Sequence, residues 1–226
     1  FWFYGDGFTP GGRRLDVSRL DPAGELRRVI GPERALGLVA WHGGEIVEPG
    51  VLETSRDISK FSIGAAMAKT EARSRSAAAA LAQAAKDLVI EASDDIRRAM
   101  WTKYASALSI QAVAMLTGGT NSQCVNDKAI FDLIVAVARE AYEVAASQGY
   151  GDLVFDIADM RARRVNSHHK PSMLQDIERG RVVELDAQYL VLQDIARQSG
   201  VATPLIDTIT PLAVARARVA GCYPPV

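Results

Sequence analysis

The residue pattern of this chain changes at Ser93. Before it, apolar residues come in runs of strand length separated by turn residues: 35–41, 45–50, 51–54, 60–64 and 88–92. A short continuous apolar run bounded by Gly or Pro reads as a strand. Residues 74–87 are alanine-rich and predict a helix between the last two runs. After Ser93 the apolar spacing becomes helical, and no segment reads as a strand. Asp94-Asp95 supplies an N-cap for a helix reaching Met115, a Thr117-Gly118-Gly119-Thr120 break follows, and a long helix over 127–148 stops at Gly149. Further helices are predicted over 151–164, from Pro171 with an interruption at Gly180, over 182–199, and from Pro204. Residues 1 to about 31 read as loop and a short helix through Ile30. The expectation is a mixed α/β part over 1–93 and an all-α part over 94–226.

The balance of charges excludes several classes of partner. A net charge of −1 gives no general attraction to nucleic acid or to an anionic membrane. The basic clusters Arg13-Arg14, Arg97-Arg98 and Arg161-Arg163-Arg164 are short and read as solvated surface. No run approaches the roughly 20 apolar residues of a membrane span. Cys124 and Cys222 fit neither a disulfide framework nor a zinc site, so a reducing cytoplasm is the expected compartment. Phe1-Trp2-Phe3-Tyr4 is an apolar aromatic run without an initiator Met, and predicts that the chain begins inside a longer protein.

Several polar residues stand out against apolar surroundings. Lys103 lies between Trp101 and Tyr104 on the first long helix, with Gln111 eight residues on and so on nearly the same face. A lysine there either snorkels to solvent or serves as an acid whose pKa burial lowers. Asn121 follows the Gly118-Gly119 break. Pro171 preorganises a helix start at which Ser172 places a hydroxyl beside free N–H groups, a receptor for a carboxylate or simply a cap. Glu184 stands between Val183 and Leu185 at the start of the next helix, where a carboxylate also complements the dipole. His42 with Glu45 reads as a surface loop, His168-His169 as structural, and no metal site is expected. Gly5-x-Gly7-x-x-x-Gly11 has the wrong spacing for a dinucleotide turn and reads as loop.

Ser172-Met173-Leu174-Gln175-Asp176, the Gly180-Arg181 pair and Glu184-x-Asp186 resemble the signature of the ketopantoate reductases (2-dehydropantoate 2-reductases). Asp95-Ile96-Arg97 with Trp101-x-Lys103 resembles the same family's catalytic helix. Pro32-Glu33-Arg34, Glu48-Pro49-Gly50-Val51 and Ile63-Gly64 are similar to the closing strands of its nucleotide domain. The resemblance implies an α/β remnant of a Rossmann-type nucleotide-binding domain followed by an all-α helical domain like the C-terminal domain of 6-phosphogluconate dehydrogenase. It implies NADPH-dependent reduction of a 2-keto acid, 2-dehydropantoate or a related compound, to the 2-hydroxy acid.

By the same matching Lys103 protonates the developing alkoxide, and Ser172 holds the substrate carboxylate or a hydroxyl. Asn121 is a further substrate contact, and Glu184 meets the nicotinamide ribose or orients the lysine. The family motif carries asparagine four and eight residues after the lysine, where this chain has Ala107 and Gln111. Gln111 supplies the same amide groups at longer reach, and Ala107 removes one, which opens the pocket to other 2-keto acids. The implied partner is a small 2-keto acid, and long apolar helices such as 127–148 leave room for a homodimer. The altered Ala107 also keeps open a catalytically silent relative that serves dimerisation or ligand sensing.

Overall fold

The computed structural model describes residues 15–31, 33–54, 59–65, 67–85 and 88–224. The aromatic tetrad, the Gly5–Gly11 segment, Arg13-Arg14 and Pro32 lie outside the described residues. The chain forms two compact units that divide within one helix, between Lys103 and Tyr104. Of the described residues, 23–103 belong to the first unit, and 15–22 with 104–224 to the second.

The first unit holds the strands. A short helix α1 (Glu25–Val29) precedes β1 (Leu36–Trp41), β2 (Gly44–Glu48), β3 (Val51–Thr54) and β4 (Ser59–Ala65). Helix α2 (Glu71–Ala84) leads to β5 (Leu88–Ser93). The three-stranded sheet has the order β1-β4-β5, antiparallel between β1 and β4 and parallel between β4 and β5. The β4–α2–β5 passage is thus a parallel crossover through a helix, the element from which doubly wound nucleotide folds are built. Strands β2 and β3 form a separate hairpin around Pro49-Gly50, where Gly50 takes the φ of +82° that such a turn demands.

Gly37 and Gly64 face each other across the β1–β4 ladder. A Cβ on either would stand 2.5 or 2.6 Å from Ile96, the first residue of α3 (Ile96–Thr117). The two glycines therefore form the seat into which α3 starts, and Ile96 fills it at 1% exposure. Asp95 caps that helix, its carboxylate accepting from the Arg98 N–H at 3.0 Å.

The second unit is helical, as the apolar spacing predicts. It contains the rest of α3, α4 (Asn121–Asn126), α5 (Lys128–Ala145), α6 (Ile157–Ala162), α7 (Ser172–Glu178), α8 (Val191–Ser199) and α9 (Pro204–Val219). Local chemistry marks the boundaries. Thr120 and Gln123 close a reciprocal capping box on α4, while Asp127 and Asp156 cap α5 and α6. Gly149, Gly180 and Gly200 end their segments in the left-handed region. Ile110, Val113, Cys124, Val125, Ile134 and Met160 form one buried cluster between α3, α4, α5 and α6. The helix expected over 151–164 shrinks to six residues, and the one expected from 182 becomes helical only at Leu185.

Candidate active site

Lys103 is half-buried on α3, and its ammonium donates to the carbonyl of Ala40 in β1. This contact orients the head group towards β1. Trp101, two residues earlier, is buried at 1% exposure.

The second unit brings two of the expected residues together. The Gln111 side-chain amide donates to the Ser172 hydroxyl at 2.9 Å, and its oxygen accepts from the Met173 N–H at 3.0 Å. Ser172 is the first residue of α7, and Pro171 precedes it in extended geometry with its carbonyl accepting from Leu174 and Gln175. The structure therefore corrects one detail of the sequence reading. Proline stands just outside the helix rather than in its first turn, and one of the N–H groups beside Ser172 is already taken by Gln111.

Asn121 is placed elsewhere, against the segment that leads into α7. Its backbone N–H donates to the His169 carbonyl at 3.0 Å, Ser122 donates to the Ser167 carbonyl at 2.8 Å, and the Asn121 amide reaches the Ser167 hydroxyl at 3.4 Å. Residues 167–173 are consequently gripped at one end by the start of α4 and at the other by Gln111. Glu184 is exposed and stands immediately before the helical residues. Both its carbonyl and its carboxylate accept from Gln188, at 3.1 Å each.

A buried tyrosine that the sequence reading did not select shapes this region. The Tyr189 hydroxyl donates to the Leu108 carbonyl and accepts from the Ala112 N–H at 2.7 Å. It stands between two groups that an uninterrupted α-helix joins directly. Burial pushes the Tyr189 phenol well above its ordinary pKa, which keeps it protonated and able to play both roles. Tyr189 itself lies in a π-helical turn, Asp186–Leu190, and the Tyr104 hydroxyl donates to the Gln188 carbonyl within that turn. Ala112 adjoins Gln111, so the insertion helps set the direction in which Gln111 leaves α3. The sequence signal was available: a tyrosine amid Leu185, Leu190, Val191 and Leu192 must find a partner for its hydroxyl.

His42 lies in the loop between β1 and β2, half-buried, with its Nδ1 2.5 Å from the Ser59 hydroxyl and its ring stacked on Phe61. No group of three or more His, Cys, Asp or Glu among the described residues could hold a metal ion. An open depression of about 840 Å³ on the second unit is lined by Asp16, Arg19, Asp186, Asp194 and Arg197, none of them an expected site residue. Its Arg19 is already paired with Asp194 at 2.6 Å. As to a dinucleotide, Glu184 can accept from a ribose hydroxyl, but no glycine-rich strand-to-helix turn for a pyrophosphate occurs among the described residues. No described helix is long and apolar enough to cross a membrane.

Comparison with known proteins identifies the family. Residues 95–217 match the family model "Ketopantoate reductase PanE/ApbA C terminal". A 2-dehydropantoate 2-reductase of Mesorhizobium japonicum is 32% identical over 226 residues, which is 99% of this chain and 67% of the relative. One from Halobacterium salinarum is 27% identical over 76% of this chain and 56% of its own length. The chain thus spans between about half and two-thirds of these curated relatives. Among solved structures, a chain from Ralstonia solanacearum assigned to the ketopantoate reductases superposes with a TM-score of 0.85 at 27% identity, covering 99% of this chain and 67% of that one. A D-mandelate dehydrogenase bound to NADH and anilino(oxo)acetate shares the fold, with a TM-score of 0.72 at 18% identity over 86% of this chain and 64% of that one. The curated relatives are oxidoreductases, and this chain belongs to the ketopantoate reductase family.

Proposed function

We propose that the protein reduces a 2-keto acid, 2-dehydropantoate or a close relative, to the corresponding 2-hydroxy acid with NADPH as reductant. The observation that carries this reading is the 32% identity to a 2-dehydropantoate 2-reductase along nearly the whole chain. A reduced nicotinamide supplies the hydride when bound. What this chain contributes is a proton and an orientation.

Reduction of a keto carbon leaves negative charge on its oxygen, and a positioned ammonium both stabilises that charge and discharges it by giving a proton. Lys103 supports this role: its ammonium is half-buried and oriented by the Ala40 carbonyl. Ser172 supports the role of carboxylate contact because its hydroxyl is exposed and fixed in place from behind by Gln111. Asn121 acts in this reading by holding residues 167–169, and Glu184 offers its exposed carboxylate to the ribose. Ala107 presents a methyl group one helical turn after Lys103, which favours a substrate without a hydroxyl to satisfy there.

The test follows NADPH consumption by the full-length protein with 2-dehydropantoate and a panel of aliphatic and aryl 2-keto acids. Lys103→Ala is expected to lower kcat by roughly 10²–10⁴-fold, the usual contribution of a general acid. An unchanged rate removes Lys103 from that role. A protein that consumes no NADPH with any of these acids, and binds none of them, is a silent relative instead.

A further inference from the structure

We propose that Gln111 is a positioning residue that fixes the direction of the Ser172 hydroxyl, so that this group offers its proton to an incoming carboxylate. The inference rests on the reading of the site as one for 2-keto acids. The Met173 N–H fixes the sense of the whole chain of hydrogen bonds. A backbone N–H can only donate, so the side-chain atom of Gln111 that faces the Met173 N–H at 3.0 Å must be the amide oxygen. The amide nitrogen then faces Ser172, and a primary amide nitrogen can only donate. The Ser172 oxygen, 2.9 Å away, therefore accepts.

A hydroxyl has a single proton. Because the side facing Gln111 is occupied by an incoming donor, the Ser172 proton must point elsewhere. Ser172 is exposed, so the proton is directed to where a ligand can meet it. One backbone N–H thereby sets an amide, and the amide sets a hydroxyl. The result is a group that donates to an acceptor such as a carboxylate, held before the ligand arrives and so at little entropic cost on binding. Gln111 acts through Ser172 in this scheme, whereas the family resemblance implied a direct contact with the substrate.

The test is a double-mutant cycle between Gln111→Met and Ser172→Ala, in which methionine keeps the length of the side chain but has no amide. With the 2-keto acid that turns over best, Gln111→Met is expected to raise KM about tenfold while kcat changes little, the loss of roughly one hydrogen bond to a charged group. In the Ser172→Ala background the same change should add nothing. A KM effect that persists undiminished in that background means Gln111 touches the substrate directly, and an unaltered KM means it has no part; either result overturns the proposal.

A second measurement keeps the proposal testable if Gln111→Met does not fold. The side-chain amide resonance of Gln111 should shift in Ser172→Ala of the otherwise native protein, and a resonance that stays in place refutes the hydrogen bond. Calorimetric binding of 2-ketobutyrate separates this inference from the catalytic one. Binding that Ser172→Ala and Gln111→Met weaken alike, without turnover by the native protein, sustains the positioning role and sinks the reductase reading. No binding by the native protein sinks both.

Discussion

At Asp176, on α7, burial and charge pairing act in opposite directions. The carboxylate is 3.7 Å from the Arg181 guanidinium, yet its pKa is raised, chiefly by burial, with Arg181 opposing and Glu184 adding to the rise. The folded chain therefore holds this proton more tightly than the unfolded chain. Stability falls as pH rises from the unfolded value towards the folded one, and the deficit stays constant above it. Asp176→Asn removes that dependence. The difference in urea midpoint between variant and native protein should grow in the variant's favour as pH climbs through the carboxylate range. A difference that shrinks or reverses would show that Arg181 outweighs burial.

Glu140 illustrates why some residue roles escape a reading of the sequence. Its two oxygens accept from the Leu205 and Ile206 N–H groups at 2.8 and 2.9 Å, capping α9 from α5. Thr203, at the N-cap position itself, makes no such bond. A capping residue 65 positions away leaves no local pattern, and only the fold reveals it. Glu140→Gln keeps one acceptor and loses the charge, and should lower unfolding stability by about 1–3 kcal/mol in a urea titration.

At the scale of elements, what was legible depended on whether the signal was local. The strand runs near 35–41, 60–64 and 88–92 and the Pro204 helix start emerge within a residue or two, because turn residues and helix caps lie beside the segments they end. The β1–β4 pairing was not legible, since nothing in either run shows that Gly37 meets Gly64 beneath Ile96. The π-helical turn at Asp186–Leu190 was equally hidden, because it depends on Tyr189 reaching into α3. Of the expected site, the residue types of Gln111 and Ser172 were legible, but their mutual bond was not.

The Tyr189 insertion carries a prediction of its own. Tyr189→Phe deletes the hydroxyl and leaves the Leu108 carbonyl and the Ala112 N–H buried and facing each other. If α3 cannot close the gap, the variant loses about 1–3 kcal/mol and the Ala112 amide exchanges faster with deuterium. If α3 relaxes into the direct bond between these groups, stability is nearly native and the Ala112 amide is better protected. The expected outcome is the first, because Tyr104 and the π-helical turn hold the partner segment in place.

The whole chain divides into units with separate cores, and this sets how damage should spread. Ile63, Ala78 and Ile96 are buried in the first unit, whereas Ile110, Val125, Ile134 and Met160 pack in the second. Ile134 is fully buried on α5, so Ile134→Ala leaves a cavity where collapse is resisted from several helices. The expected loss is about 2–5 kcal/mol. Each core is its own cooperative unit in this reading, so the loss should be confined. Hydrogen exchange should quicken at α4, α5 and the part of α3 beyond Tyr104. The amides joining β1, β4 and β5, together with those of residues 96–103, should keep their native protection. Equal quickening in both sets would mean that the helix shared by the two units makes the chain unfold as one, and that α3 transmits strain from the second core to the seat of Ile96.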